Sequence, residues 1–218
     1  MRVYHFTDGQ YGLENIRRRR LKIATIEDLN DPFEMLGISL PVPAQRRQFF
    51  NFRSQMAGQF GVVSFSKAWN DPVQWSHYAD KHRGMCLGFD IPDKYLITVL
   101  YKSKPYHSSV LDNVRSDDVN GEQLILDLIR TKYRHWAYEQ EVRLISELNE
   151  ADASGLYFVD FSEKVTLREV IVGHRANVSR HDVADALGAL AASVTARSAR
   201  LSFQSYRVVT QRNSALWK

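Results

Sequence analysis

In the stretch "YEQEVRLIS" (residues 138–146), charges fall on every second residue, and apolar side chains fill the places between them after Gln140. If it is a strand, Glu139, Glu141 and Arg143 share one face while Tyr138, Gln140, Val142 and Leu144 take the other. On a helix, Glu139 and Arg143 would be an ordinary i,i+4 surface pair. The β-branched and apolar run "VRLIS" favours strand from about Gln140. Upstream, Leu124, Leu128 and Ile129 repeat at helical spacing, so a helix is expected over 120–137. The two glutamates then stand at a helix-to-strand junction, where a rigid base can present functional side chains.

The remaining periodicities give short strands interleaved with helices. Strands are expected at 2–7, "LKIAT", "MLGISL", "GVVSFSK" (61–67) and "GMCLGFDI" (84–91). Further strands are expected at "EVRLIS", "LYFVDF", "LREVIVG" and "LSFQSYRVV". Helices are expected at 12–20, with Leu13, Ile16 and Leu21 inward, and at 44–57. Asp71 before Pro72 marks the start of a helix over 71–80. Ser179 with Asp182 resembles a capping box opening a helix over 180–192. Asn30-Asp31-Pro32 signals a structured turn in which Asn30 and Asp31 cap backbone donors. Without regular βαβ alternation the pattern implies an α+β class, and neither GxGxxG nor GxxxxGK[ST] occurs.

The 218 residues suit a single domain, 1–218, with room for a substantial core. No apolar run reaches the roughly 20 residues needed to cross a bilayer, and the start "MRVYHFTDG" lacks the pattern of a signal peptide. A cytoplasmic location and no membrane partner are therefore expected. The one cysteine, Cys86, lies in an apolar strand and reads as an inert core residue; no cysteine–histidine cluster has zinc-site spacing. The net charge of +4 gathers in "IRRRRLK" (16–22) and in the tail from Arg197 to Lys218. These runs are either solvated helix ends or an approach surface for a polyanion.

Three polar sets repeat the period-two geometry on separate strands: His5 and Thr7 in "YHFTD", Ser64 and Ser66 in "SFS", Glu139 and Glu141 in "EQE". The segment "WNDPVQWSHYADKHRG" (69–84) adds dense polar and aromatic residues. As a helix it either lines a site with Gln74, His77 and Tyr78 or completes the core with Trp75 and Tyr78.

The motifs "LNDPFE", "WSHYAD", "GMCLGFD" and "YEQEVRL" look like a widespread bacterial family of unknown function. The order His-x-Thr, Ser-x-Ser, Glu-x-Glu more distantly resembles the ADP-ribosyltransferase superfamily. "YHFTD" followed by "GLENIRRRRLK" is similar to the start of DarT-type toxins. That resemblance implies two small, mostly antiparallel sheets forming a cleft with flanking helices, and NAD as substrate. It implies His5 on a ribose hydroxyl or the pyrophosphate with Thr7 beside it, and Ser64 or Ser66 supporting the acid. Glu141 would stabilise the charge that develops as nicotinamide leaves, Glu139 would orient or deprotonate the acceptor, and Trp75 or Tyr78 would stack on the ring, with His77 nearby. The implied role is ADP-ribose transfer to nucleic acid or protein, as a bacterial toxin or anti-phage effector with an antitoxin or immunity partner. Two alternatives stay open, NAD hydrolysis and a non-catalytic nucleic-acid or protein binding module. Arg143 shares the face of Glu141 and would neutralise it if the two form a buried pair.

Overall fold

The computed structural model describes residues 1–111 and 119–217. Its strands are β1 (Arg2–Thr7), β2 (Arg20–Thr25), β3 (Phe60–Ser66), β4 (Met85–Asp90), β5 (Ile97–Thr98), β6 (Leu100–Lys102), β7 (Thr131–Tyr133), β8 (Glu141–Glu147), β9 (Tyr157–Asp160), β10 (Thr166–Val172), β11 (Thr195–Leu201) and β12 (Val208–Thr210). Its helices are α1 (Gly9–Arg18), α2 (Pro43–Ala57), α3 (Pro72–Tyr78), α4 (Val119–Ile129) and α5 (Arg180–Leu187). The class is α+β.

In place of two small sheets, ten strands join one mixed sheet, and β6 and β7 form a separate parallel pair. The large sheet runs β12-β11-β10-β4-β1-β3-β2-β9, with β8 added to β3 and β5 to β8; only β10 and β11 pair in parallel. Its middle is weak. β1 pairs with β4 along its whole length but meets β3 only at Tyr4–Ser66. β3 pairs with β8 over seven residues and with β2 only at Ala24–Val62 and Thr25–Gly61. The sheet is therefore two five-stranded halves touching at one register pair, and between their diverging backbones side chains can enter.

Each face of the sheet is covered. On one, Val3, Val63, Phe65, Leu87, Phe89 and Val142 pack with Ile16 of α1 and with Val183, Ala186 and Leu187 of α5. On the other, Trp75 and Ala79, from α3 and its end, pack with Cys86, Ile171, Ala199 and Val208. Met35, Ala57 and Ile129 close a third cluster under α2 and α4. Burying such side chains contributes roughly 1.5–3 kcal/mol each.

Several boundaries differ from the sequence expectations, each for a local reason. Helix α1 begins earlier, because Asp8 caps it by accepting from the amides of Gln10 and Tyr11. The helix expected over 120–137 ends at Ile129. The chain turns into β7, whose Thr131 hydroxyl donates to Asp127 O at 2.6 Å, and then forms a 3-10 turn over Arg134–Glu139. "MLGISL" contributes only an isolated bridge, Ile38 to Tyr106, because the chain turns at 32–35 and Met35 is left-handed. Helix α5 ends at Leu187 because Gly188 adopts φ 50°. Of the strand expected at 201–209, Leu201 ends β11 and Val208 and Val209 open β12, while 202–207 form the tip of that hairpin. "EVRLIS", "LYFVDF" and "LREVIVG" follow one another in sequence yet pair with β3, β2 and β4 respectively.

Gly84, entering β4, lies so close to the end of β1 that an added Cβ would come within 2.1 Å of Thr7 O. Gly84→Ala should force the two backbones apart at a cost on the order of 1–3 kcal/mol. Thermal unfolding should show a midpoint lowered by several degrees, and an unchanged midpoint would refute the close approach.

Candidate functional site

At the point where the half-sheets part, the His5 imidazole takes the place of a ladder bond, with Nδ1 3.0 Å from the Ser64 carbonyl oxygen. A carbonyl only accepts, so Nδ1 carries the proton and Nε2 keeps a lone pair. Burial pushes the His5 pKa below its ordinary value, with the Ser64 carbonyl opposing. The ring is neutral at physiological pH and packs edge-on against Phe65.

Beside it, period-two geometry puts Glu141 and Arg143 on one face of β8, opposite Ser66 and Ser64 of β3. Arg143 is 1% exposed and Glu141 4%. The guanidinium donates from Nε to Glu141 Oε1 at 2.8 Å and from Nη2 to Glu141 Oε2 at 3.1 Å. Its two terminal nitrogens also grip Glu34, at 2.6 and 2.9 Å, and Nη1 donates to Ile129 O at 2.5 Å. Lys132, reaching in from β7, donates to Glu139 Oε2 at 2.7 Å and to Glu141 Oε2 at 3.1 Å. Three carboxylates and two cations thus share one buried network, with one formal negative charge in excess when all are ionised.

The three acids respond differently. Burial opposes ionisation of Glu141, but Arg143 and Lys132 outweigh it, with a lesser contribution from Ser64, and its pKa falls to about 2. For Glu139 burial wins against Lys132 and Tyr78, and its pKa is raised; Glu34 is likewise raised by burial despite Arg143. A carboxylate made more acidic and one made more basic therefore stand two residues apart, a division that suits electrostatic and proton-transfer roles.

Helix α3 supplies the opposite wall. The Tyr78 hydroxyl donates to Glu139 Oε1 and accepts from Asn30 Nδ2 at 2.6 Å. Gln74 Nε2 donates to Ser66 Oγ and Tyr138 O at 3.1 and 3.2 Å. Ser66 is saturated, since it also donates to Ala68 O and accepts from Ala68 N. It fastens α3 to β3, while Ser64 faces the acid. The Tyr101 hydroxyl accepts from the Glu141 amide at 2.7 Å and fixes the start of β8.

A pocket of about 140 Å³ opens among these groups, bordered by Tyr4, His5, Phe6, Asn30, Ser64, Phe65, Ser66, Gln74, Tyr78, Lys132, Glu139 and Glu141. Of the residues expected from sequence, His5, Ser64, Ser66, Tyr78, Glu139 and Glu141 meet here. Three do not line it. Thr7 lies at the far end of β1, its methyl close to Gly12 of α1. Trp75 is fully buried and donates to Trp69 O at 2.6 Å, so it belongs to the core. His77 is exposed, its ring beside those of Tyr78, which lines the pocket, and Tyr138, which does not.

Lys132 and Glu34 were not singled out by spacing as partners of the acids, because their contacts span loops. Of the turn residues, Asp31 caps as expected, accepting from Phe33 N at 3.0 Å, while Asn30 donates to Tyr78. The basic run at 16–22 is largely engaged locally. Arg17 and Arg18 pair with Asp185 and Glu14, Arg19 donates to carbonyls at the ends of α1 and α5, and Arg20 binds Asp152 and covers Phe158. In the tail, Arg197 pairs with Glu169.

Residues 74–144 match the model of a family described as Protein of unknown function (DUF2971). The matched segment carries Gln74, Tyr78, Lys132, Glu139, Glu141 and Arg143, the larger part of the buried network, while His5, Glu34 and Ser64 lie outside it. Comparison with curated proteins and with solved structures returns no match. Among the described residues, no helix is long and apolar enough to cross a membrane.

Arg143→Met should strand two buried carboxylates and lower stability by about 3–5 kcal/mol in urea unfolding. A loss below about 1 kcal/mol would show that water already screens the pair. The pH dependence has a defined sign. Because the folded pKa of Glu141 lies at about 2, below its ordinary 4.5, its ionised form stabilises the fold above about pH 4.5. That contribution should disappear as pH falls from about 4.5 to 2, and Glu141→Gln should flatten the corresponding slope in the unfolding free energy.

Proposed function

We propose that the pocket between the half-sheets receives the nicotinamide end of NAD and that the protein transfers ADP-ribose to a macromolecular acceptor. One observation carries this reading. A neutral imidazole from β1, a serine hydroxyl from β3 and an ionised carboxylate from β8 border a single pocket. A volume of about 140 Å³ holds one small ring and not a dinucleotide, whose sites commonly exceed roughly 300 Å³. Tyr4, Phe6 and Tyr78 offer aromatic walls to such a ring, and the remainder of the molecule lies outside the pocket.

The chain's own groups divide the work. His5 accepts a ribose hydroxyl through Nε2, since Nδ1 is committed to Ser64 O. The buried pair with Arg143 does form and, with Lys132, offsets much of the Glu141 charge; it also holds the carboxylate in place, as the Tyr101 hydroxyl holds its backbone, so Glu141 needs no reorganisation as positive charge grows at the ribose anomeric carbon. With all three carboxylates ionised, the one negative charge in excess acts in the same direction. The bond from that carbon to the ring nitrogen breaks with its electron pair leaving on nicotinamide. An acceptor oxygen or nitrogen bonds the carbon and passes its proton to Glu139, whose raised pKa suits a base. Tyr78 and Lys132 fix the Glu139 carboxylate for that transfer.

Incubation with NAD labelled in its adenylate half, read as nicotinamide release and as label on protein or nucleic acid, tests the reading. Glu141→Gln should reduce nicotinamide release by on the order of 10²–10³. Glu139→Gln should depress transfer more than cleavage. Nicotinamide release without labelled acceptor would identify water as the acceptor and make the enzyme an NAD hydrolase. No turnover by the wild-type chain, or full turnover by a folded Glu141→Gln variant, would reject the chemistry. A toxin or anti-phage role predicts growth arrest on expression, relieved by Glu141→Gln.

A further inference from the structure

Behind the β6–β7 ribbon lies a second, larger groove of about 390 Å³, which the chemistry above does not use. In β7, Lys132 points towards Glu139 and Glu141, so alternation turns Thr131 and Tyr133 to the opposite face, where they line this groove. Its rim is the turn Lys102-Ser103-Lys104-Pro105, and its other wall is Phe33, Leu36 and Gly37.

Two features of this lining point to one ligand chemistry. The first is charge. Lys102 and Lys104 stand on either side of Ser103, and Arg134 lies over the Ser103 hydroxyl at 3.5 Å. Among the described residues, no carboxylate lines the groove and neither lysine forms an ion pair with one. Arg134 at the Ser103 hydroxyl, Lys104 beside it and Lys102, whose ammonium rests 4.1 Å over the Tyr106 ring, give this end of the groove a positive character that suits a phosphate. The second is aromatic exposure. Phe33 is 62% exposed and Tyr133 43%, and His135 stacks on one face of the Tyr133 ring at 4.6 Å. A ring braced on one face keeps its orientation and offers a π-face to a planar ligand. The volume matches one base, one sugar and one phosphate.

We propose that this groove binds a nucleoside phosphate, its base against Tyr133 and Phe33 and its phosphate on Lys102, Lys104 and Ser103. The site is distinct from the pocket at Glu141, and the proposal does not depend on NAD cleavage there. The nucleotide can arrive free or as one unit of a single strand, since both present the same base and phosphate.

Calorimetric titration of the full chain with AMP, GMP, CMP and UMP tests the proposal, with adenosine and inorganic phosphate as fragments. At least one mononucleotide should bind saturably, and its nucleoside should bind about tenfold or more weakly for want of the charge-assisted contacts. Tyr133→Ala should weaken binding by about tenfold through lost stacking. Lys102→Glu with Lys104→Glu should weaken it further, and Ser64→Ala, in the other pocket, should leave it unchanged. A short single-stranded oligonucleotide that binds far more tightly than the mononucleotide, with the same variant pattern, identifies the strand as the source; equal affinity identifies the free nucleotide. Absence of saturable binding by every nucleotide, equal binding of nucleoside and nucleotide, or an undiminished affinity in the folded double-lysine variant overturns the proposal. Loss of binding in Ser64→Ala with retention in Tyr133→Ala also overturns it, by moving the ligand to the pocket at Glu141.

Discussion

A single guanidinium organises the site. Arg143 has almost no exposure, and a charge so placed is tolerated only when its hydrogen-bonding directions are filled. Two carboxylates and one carbonyl fill them. Each partner comes from a different part of the chain: Glu34 from the loop after β2, Ile129 from the end of α4, Glu141 from β8 itself. The ion network therefore works as a set of distance constraints on the elements around the pocket. Its net contribution to stability is smaller than its geometry implies, because desolvation offsets much of the Coulomb attraction. What it supplies in full is position.

That position matters because the large sheet is interrupted beside it. β3 gives its full length to β8 and so fixes that strand, but shares the other edge between β1 and β2 at opposite ends. The gap between β1 and β3 is bridged by a side chain, His5, instead of a ladder of amides. A continuous sheet would have filled this space with backbone. The divergence makes room for a pocket whose walls are strands, with a pinned acid on one side and α3 on the other.

Part of this was legible in the residues. Alternation in "EQEVR", "SFS" and "YHF" identified Glu141 with Arg143, Ser64 and Ser66, and His5 as side chains presented in register by strands; all of them but Arg143, which stands behind Glu141, border one pocket. Asp71-Pro72 placed the start of α3 and hence Tyr78. The same alternation misled for Thr7, since a shared strand face does not mean a shared neighbour two residues on: β1 leaves β3 after Tyr4 and runs on against α1. Trp75 and Tyr78 could not be told apart by helical spacing, because which one faces the core depends on how the helix lies on the sheet. The helix expected to reach residue 137 showed the limit of local periodicity. Lys132 leaves helical geometry because the energy of a buried ammonium among three carboxylates exceeds a few tenths of a kcal/mol of propensity.

The sequence by itself determined the class, the alternating strands and the chemistry each strand displays, because these depend on neighbours one to four residues away. Tertiary structure alone decided that β1 and β3 part after one pair, that Glu34 and Lys132 close on Glu141 and Arg143, and that Tyr78 hydrogen-bonds Glu139. Those outcomes rest on contacts between residues 7 to 109 positions apart, selected by which combination pairs the buried charges around Arg143.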